Sequence, residues 1–428
     1  MKPRVHFIGI NGSGASGVAI AALRAGFAVS GCDRSSDTPY AAQIAAAGIP
    51  VAADHDRAHV DAADIVACSA AFLEQKSTTD EIEYARAAGK LMKWQDFLGK
   101  YILAKKRLIA VCGTHGKTTT SSLTAHILES AGLDPTAFIG AIVPMWGGSS
   151  RVGAGEFAVI EADEYANNFA PYRPEIAVLN NLEMEHPEYF KDWEHYKKTF
   201  VDFLARARVV IYNADDAGTR EILPQLSAEK IPFRAADYPG WPTPLIGAHN
   251  RANAMAAITA ARAAGVPDEA SRQALASFQT AGHRLQKIHD AAGVVVYDDY
   301  AHHHSQFKNT IAAVREAWPD YKIIAIAEPH QISRYAQNTP ETLAALAAAD
   351  AAVIVDFWRG REAHLTMPDV AADIAASGHK NIRFISDHDE AAEWAIAAAA
   401  PKTAIVVMGA GKSYKISQAI TEILGAKK

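Results

Sequence analysis

A chain of 428 residues with 49% hydrophobic and 21% charged side chains and a formal net charge of −6 is too long for one ordinary core and has the composition of a folded protein of two or three domains. No basic block offers an electrostatic footprint for nucleic acid or for an anionic membrane surface. The start, MKPRVHFIGING, runs directly into a strand and a glycine turn, no later stretch reaches transmembrane length, and Cys32, Cys68 and Cys112 lack C-x-x-C pairing. The expectation is a cytoplasmic protein with buried, reduced thiols and neither disulfides nor a zinc site.

Short apolar runs alternate with alanine-rich helical patterns from end to end: RVHFIGI, DIVACSA, LIAVCG, FAVIEA, IAVLNN, VVIYNA, VVVYDD, KIIAIAE, AAVIVD and TAIVVMGAG. This alternation predicts an α/β fold of open, largely parallel sheets covered by helices. Three domains in series are expected: a Rossmann-like N-terminal domain over residues 1–103, a central P-loop domain over 104–279 and a Rossmann-like C-terminal domain over 280–428. The first run opens into Gly12, Gly14 and Gly17 in the pattern G-x-G-x-x-G, and Asp33 closes the next strand, AVSGCD, where a ribose-binding carboxylate belongs. Such a loop reports a diphosphate, which NAD or a nucleotide sugar would supply equally well.

The run RLIAV leads into VCGTHGKTTT, a P-loop in the shorter form Gly113-Thr114-His115-Gly116-Lys117-Thr118, with Val111 where the longer pattern has a glycine. Its glycines let backbone N–H groups close around phosphate oxygens, Lys117 adds a mobile charge, and Thr118 offers a hydroxyl to Mg²⁺. Strand FAVIEADEY ends in Glu161, Asp163 and Glu164, and IAVLNNLEMEHPEYF ends in Asn180, Asn181, Glu183, Glu185 and His186. Ends of parallel strands meet the P-loop at one edge, so these groups can surround a pair of Mg²⁺ ions beside a γ-phosphate. Glu161 and His186 read as functional, and Glu183, Glu185 and Glu188 as solvated loop charge. Asn250 and Asn253 in GAHNRAN carry amides suited to adenine or to helix capping. The run His302-His303-His304 follows YDDYA, and adjacent side chains on an extended segment point different ways, so no metal site is expected there.

The ordered set GINGSGASG, GTHGKTT, EADE, NNLEMEH, HNRAN, GHRLQ and DDYAHH resembles the Mur ligase family, the ATP-dependent amide-forming enzymes of peptidoglycan synthesis, over nearly the whole chain. The resemblance implies a UDP-binding first domain, a central ATPase and a third domain that brings the amino acid. It puts Gly12, Ser13, Gly14, Asp33 and Ser69 on a UDP sugar. It puts Gly113, Thr114, Gly116, Lys117, Thr118 and Thr119 on ATP, with Asn253 on the adenine, Asp299 on the ribose and Arg284 reaching the phosphates from the third domain. Thr118 and Glu161 would share one Mg²⁺ and His186 would hold a second, so that Lys117, Glu161, His186 and Arg284 form the catalytic set. His330 and Arg334, in EPHQISRY, would take the amino acid, with Gln331 and Ile332 departing from the PHRYTR-like motif of alanine-adding relatives. Phe200, with Lys197 and Lys198 nearby, stands where several branches have a carbamylated lysine, so no carbamate is expected.

Within the family, the first-domain turn and SGCD resemble the branch that joins UDP-N-acetylmuramate to L-alanine. EADEY with NNLE is similar to the recycling branch that attaches L-Ala-γ-D-Glu-meso-diaminopimelate to the same sugar. Outside the family stand an NAD-dependent oxidoreductase, suggested by the first glycine fingerprint, and a nucleotide-binding regulator without turnover, suggested by Gln331 and Ile332.

Overall fold

Strand Arg4–Ile8 carries four consecutive buried residues, and Ile65–Cys68 is buried throughout, the pattern of strands covered on both faces. The computed structural model of the chain describes residues 2–74, 79–186, 189–359, 362 and 364–426; Glu188 lies outside them. Contacts divide the chain into two compact units, one made of the residues up to Pro244 with Ala252–Ala281, the other of Leu245–Arg251 with the residues from Gly282 onward.

The first unit holds two sheets. One has the strand order Val51–Ala52, Ala28–Cys32, Arg4–Ile8, Ile65–Cys68, Leu91–Lys93, all parallel. The order reverses beside Arg4–Ile8, and at that switch point the glycine turn and Ser69 both leave the carboxyl edge, where α/β sheets bind ligands. The other sheet runs Glu229–Phe233, Val209–Asn213, Ile176–Leu179, Arg107–Cys112, Phe157–Glu161, Thr136–Val143, Gly148–Arg151, with the last strand antiparallel. Its central strand, Arg107–Cys112, lies between the strands that end in EADE and NNLE, with Val111 level with Glu161 and Cys112 level with Leu179. Register alone therefore brings both acidic strand ends to the P-loop. Edge-to-face rings of Phe7, Phe27 and Phe97 and the stacked pair Phe169–Phe203 fill the core beneath.

The second unit is built on a sheet ordered Gln286–Ala291, Val294–Asp299, Thr403–Gly409, Lys322–Glu328, Ala351–Ile354, Ile382–Phe384, in which the first strand is antiparallel and the rest are parallel. Three open α/β sheets in series are thus present, as the alternating pattern predicts. Among the described residues no helix is long and apolar enough to cross a membrane.

Candidate active site at the P-loop

The turn after Arg107–Cys112 is shaped by two glycines that no other residue can replace cheaply. Gly113 has φ +120°, and a Cβ there would lie 2.8 Å from the Asn181 carbonyl oxygen; Gly116 has φ +79°, and its Cβ would lie 2.3 Å from Asn253 Oδ1. Gly116 starts helix Lys117–Ser130 without a side-chain cap, so the first N–H groups of that helix face the loop as an anion site. Two asparagines latch the loop to the neighbouring strand: Asn181 Oδ1 accepts from the His115 N–H at 2.8 Å, and Asn180 Nδ2 donates to Thr120 Oγ1 at 3.0 Å. Thr120 Oγ1 also donates to Asn253 Oδ1 at 3.3 Å, which ties Asn253 to the P-loop helix itself.

Lys117 folds back over the loop, its Nζ donating to the Gly113 carbonyl at 2.6 Å and to Glu164 Oε2 at 3.0 Å. Burial works to lower the pKa of this ammonium, but Glu164, Asp163 and Glu161 outweigh it, and the net direction is upward. Glu164 is fully buried; burial raises its pKa against the pull of Lys117, and its Oε1 has no hydrogen-bond partner. A charged lysine held by a carboxylate is available to phosphate at the cost of leaving that carboxylate behind.

Thr118 Oγ1 donates to Glu161 Oε1 at 3.0 Å, while Glu161 Oε2 accepts from the Gly140 N–H at 2.8 Å. Hydroxyl and carboxylate so close are a hard-oxygen pair of the kind Mg²⁺ takes. Beside them, Asp163, Glu164 and His186 each present a ligand atom within 4.8 Å of the others. His186 adopts φ +56° and packs its ring 5.0 Å from Tyr165, so the chain bends sharply to bring the imidazole there. Asp163 and Glu164 therefore stand with His186, the two acidic strand ends meeting at the P-loop edge as the sequence pattern suggests. The reading of Glu183 and Glu185 as solvated needs correcting. Glu183 Oε2 lies 2.9 Å from His115 Nε2, its carbonyl accepts from Thr114 Oγ1 at 2.8 Å, and Glu185 is buried. Phe200 is fully buried in helix Trp193–Leu204, while Lys197 pairs with Glu194 and Glu221, and Lys198 with Asp202.

A cleft of about 240 Å³ opens between the two sheets of this unit. Ser13, Gly14 and Trp94 line it on one side, Gly140, Ser149, Glu161 and Asp163 on the other. Gly14 is required by packing: a Cβ would lie 2.4 Å from the Trp94 ring. Asp33 accepts from the N–H groups of Asn11 and Ser35, both at 2.9 Å, and so fixes the glycine turn from behind. These two bonds stand beside the ribose role expected from the sequence.

In the second unit, Asp299 is buried and takes hydrogen bonds from the Leu285 N–H at 3.1 Å and Thr310 Oγ1 at 2.5 Å. It thereby anchors the turn that carries Arg284, whose guanidinium lies over the Tyr300 ring at 4.5 Å. The side chains of the histidine run do not diverge as on an extended segment. His302, His303 and His304 all line one small cavity with His330 and Arg334, because His303 caps helix His304–Ala317 through a reciprocal box with Gln306 and the chain turns there.

Comparison with known proteins supplies a match for each sheet. The description "Mur ligase family, catalytic domain" matches residues 4–106, "Mur ligase middle domain" residues 111–239, and "Mur ligase, glutamate ligase domain" residues 283–411. The UDP-N-acetylmuramate–L-alanine ligase of an Anaeromyxobacter species is 31% identical, over 99% of this chain and 97% of that one. Among solved structures, the fold is similar to the UDP-N-acetylmuramate–alanine ligase of Thermotoga maritima, with TM-score 0.80 and 24% identity over the whole of both chains. It is also similar to a murein peptide ligase from Psychrobacter arcticus, with TM-score 0.69 and 24% identity over 99% of each.

Proposed function

This chain belongs to the Mur ligase family, and from that premise we propose that it joins L-alanine to the carboxyl group of UDP-N-acetylmuramate while ATP is converted to ADP and phosphate. A carboxylate at neutral pH is a poor electrophile. Attack of one of its oxygens on the γ-phosphorus gives an acyl phosphate with departure of ADP, and attack of the amine on the acyl carbon then expels phosphate and forms the amide. Both steps depend on positioning and on charge neutralisation more than on any protein nucleophile. Family membership along the whole chain sets aside the NAD-dependent reading of the first fingerprint.

The observation that carries the reading is the cleft lined by Ser13 and Gly14 at one end and by Glu161 and Asp163 at the other. A diphosphate on the glycine turn would leave the attached sugar acid directed at the edge where Lys117 and Thr118 stand. In this reading Lys117 exchanges Glu164 and the loop carbonyls for phosphate oxygens, Thr118 and Glu161 hold one Mg²⁺, and His186 with its acidic neighbours holds a second. Bound there, Mg²⁺ would neutralise charge on the phosphoryl oxygens. We assign Gly113, Thr114, Gly116 and Thr119 to the triphosphate, Asn253 to the adenine, Asp299 to the ribose, Arg284 to the phosphates, and His330 and Arg334 to the amino acid. Gly12, Asp33 and Ser69 complete the UDP-sugar side.

The test is phosphate release with ATP, Mg²⁺ and UDP-N-acetylmuramate, offered L-alanine, glycine, L-serine or L-Ala-γ-D-Glu-meso-diaminopimelate in separate wells. L-alanine is expected to give the highest kcat/KM. Consumption of the tripeptide alone would replace the amine in this assignment and leave the family standing. A second expectation concerns Gly14→Ala, whose added methyl must displace the Trp94 ring that lines the cleft. KM for the UDP sugar should rise on the order of tenfold, with kcat much less affected, as overpacking of a close contact predicts. An unchanged KM would remove the cleft from the sugar's path.

A further inference from the structure

Far from the P-loop in sequence, the first sheet buries a cluster that ATP-dependent ligation does not use. Glu81, with no exposed side-chain surface, stands at its centre: His59 Nδ1 lies 2.9 Å from Oε1, His6 Nε2 3.4 Å from Oε1, and Cys32 Sγ 3.3 Å from Oε2. One donor atom from each of His6, Cys32, His59 and Glu81 falls within 4.8 Å of all the others. We propose that these four residues bind a single Zn²⁺ ion inside the N-terminal domain.

The donor set fits. An imidazole pair, a thiolate and a carboxylate are the ligand types of tetrahedral zinc, whose bond lengths of about 2.0–2.3 Å place neighbouring ligand atoms roughly 3.3–3.8 Å apart. The three separations from Glu81, 2.9 to 3.4 Å, lie at or just below that range, and the remaining pairs lie within 4.8 Å, so the ligands need only close in on a common centre. A hydrogen-bond network alone explains less. His59, His55 and the Cys32 thiol can each donate to Glu81, whereas buried His6 Nε2, 3.4 Å from Oε1, makes only a long, poorly formed contact there and is aimed at the same point. His6 Nδ1 meets Ser30 Oγ at 2.9 Å, and His55 Nδ1 lies 2.9 Å from Glu81 and 3.3 Å from Cys32, the outer contacts that fix ligand orientation in metal sites. Binding would release the thiol proton to solvent.

The four ligands come from strands Arg4–Ile8 and Ala28–Cys32 and helices Arg57–Ala62 and Asp80–Ala87, so the ion would staple one face of the sheet. That face is not the one facing the glycine-turn helix. Phe7 packs in the core with Val18 of helix Ser13–Arg24, and His6 alternates to the other side. The cysteine spacing gives no hint of this, since three of the four ligands are not cysteines.

Zinc content of the purified full-length chain decides the matter. About one equivalent should survive desalting and excess Mg²⁺. Cys32→Ser and His59→Ala should lose it, and His186→Ala at the P-loop should keep it. Loaded with Co²⁺ instead, the unsubstituted chain should show a thiolate-to-cobalt charge-transfer band, and this reading holds even where a variant fails to fold. Absence of zinc and of that band from the unsubstituted chain, or full zinc content in folded Cys32→Ser, would overturn the proposal.

Discussion

Lys117→Ala is expected to lower kcat/KM by about 10³-fold or more, the scale on which a charge aimed at a transferring phosphoryl group acts. It should also destabilise the chain, for a separate reason. Lys117 is the cation 3.0 Å from Glu164, and Glu164 is wholly buried. Removing one partner of a buried pair typically costs about 3–5 kcal/mol, because the other charge is left without compensation. The two effects can be pulled apart. In Lys117→Ala with Glu164→Gln the orphaned charge disappears, so most of the stability should return while turnover stays no higher than in the single variant. Recovery of turnover together with stability would mean that Lys117 is a structural counter-ion only, and that phosphate is handled elsewhere.

That pair also shows where the sequence stops being readable. The P-loop is legible because every group it needs lies on one contiguous turn, with a buried strand before it and a helix after it. Glu164 is different: in EADEY it is one of three acids, and only the register of Phe157–Glu161 against Arg107–Cys112 puts it under the lysine. The same holds for Glu185, which is buried although it reads as loop charge. Strands divide in the same way. Runs such as LIAVC and VVVYD are buried on both faces and announce themselves by continuous apolar character. Gly148–Arg151 and Gln286–Ala291 are edge strands, hydrogen-bonded on one side and partly exposed, so GSSR and QKIHDA carry almost no apolar signal. The histidines after YDDYA illustrate a third limit. An extended backbone would scatter them, but a helix begins at His304 and gathers them over one cavity.

Glu161→Gln isolates the metal from the fold. Glu161 ties two segments together, accepting from Thr118 Oγ1 at 3.0 Å and from the Gly140 N–H at 2.8 Å. Glutamine has the same length, and its carbonyl can keep the Gly140 bond while its amide donates to the threonine hydroxyl, so stability should change by no more than about 1 kcal/mol. What it cannot supply is the negative charge that a hard divalent cation requires. Turnover should therefore fall by about 10²–10³-fold, with a higher Mg²⁺ concentration needed for half-maximal rate. Thr118→Ser, which keeps the hydroxyl, should leave the Mg²⁺ dependence close to that of the unsubstituted chain, whereas Thr118→Val should shift it in the direction of Glu161→Gln. If Glu161→Gln turned over at the original rate with an unchanged Mg²⁺ requirement, the carboxylate would be a tether between two loops, and the divalent ion would have to be held by Asp163, Glu164 and His186 alone.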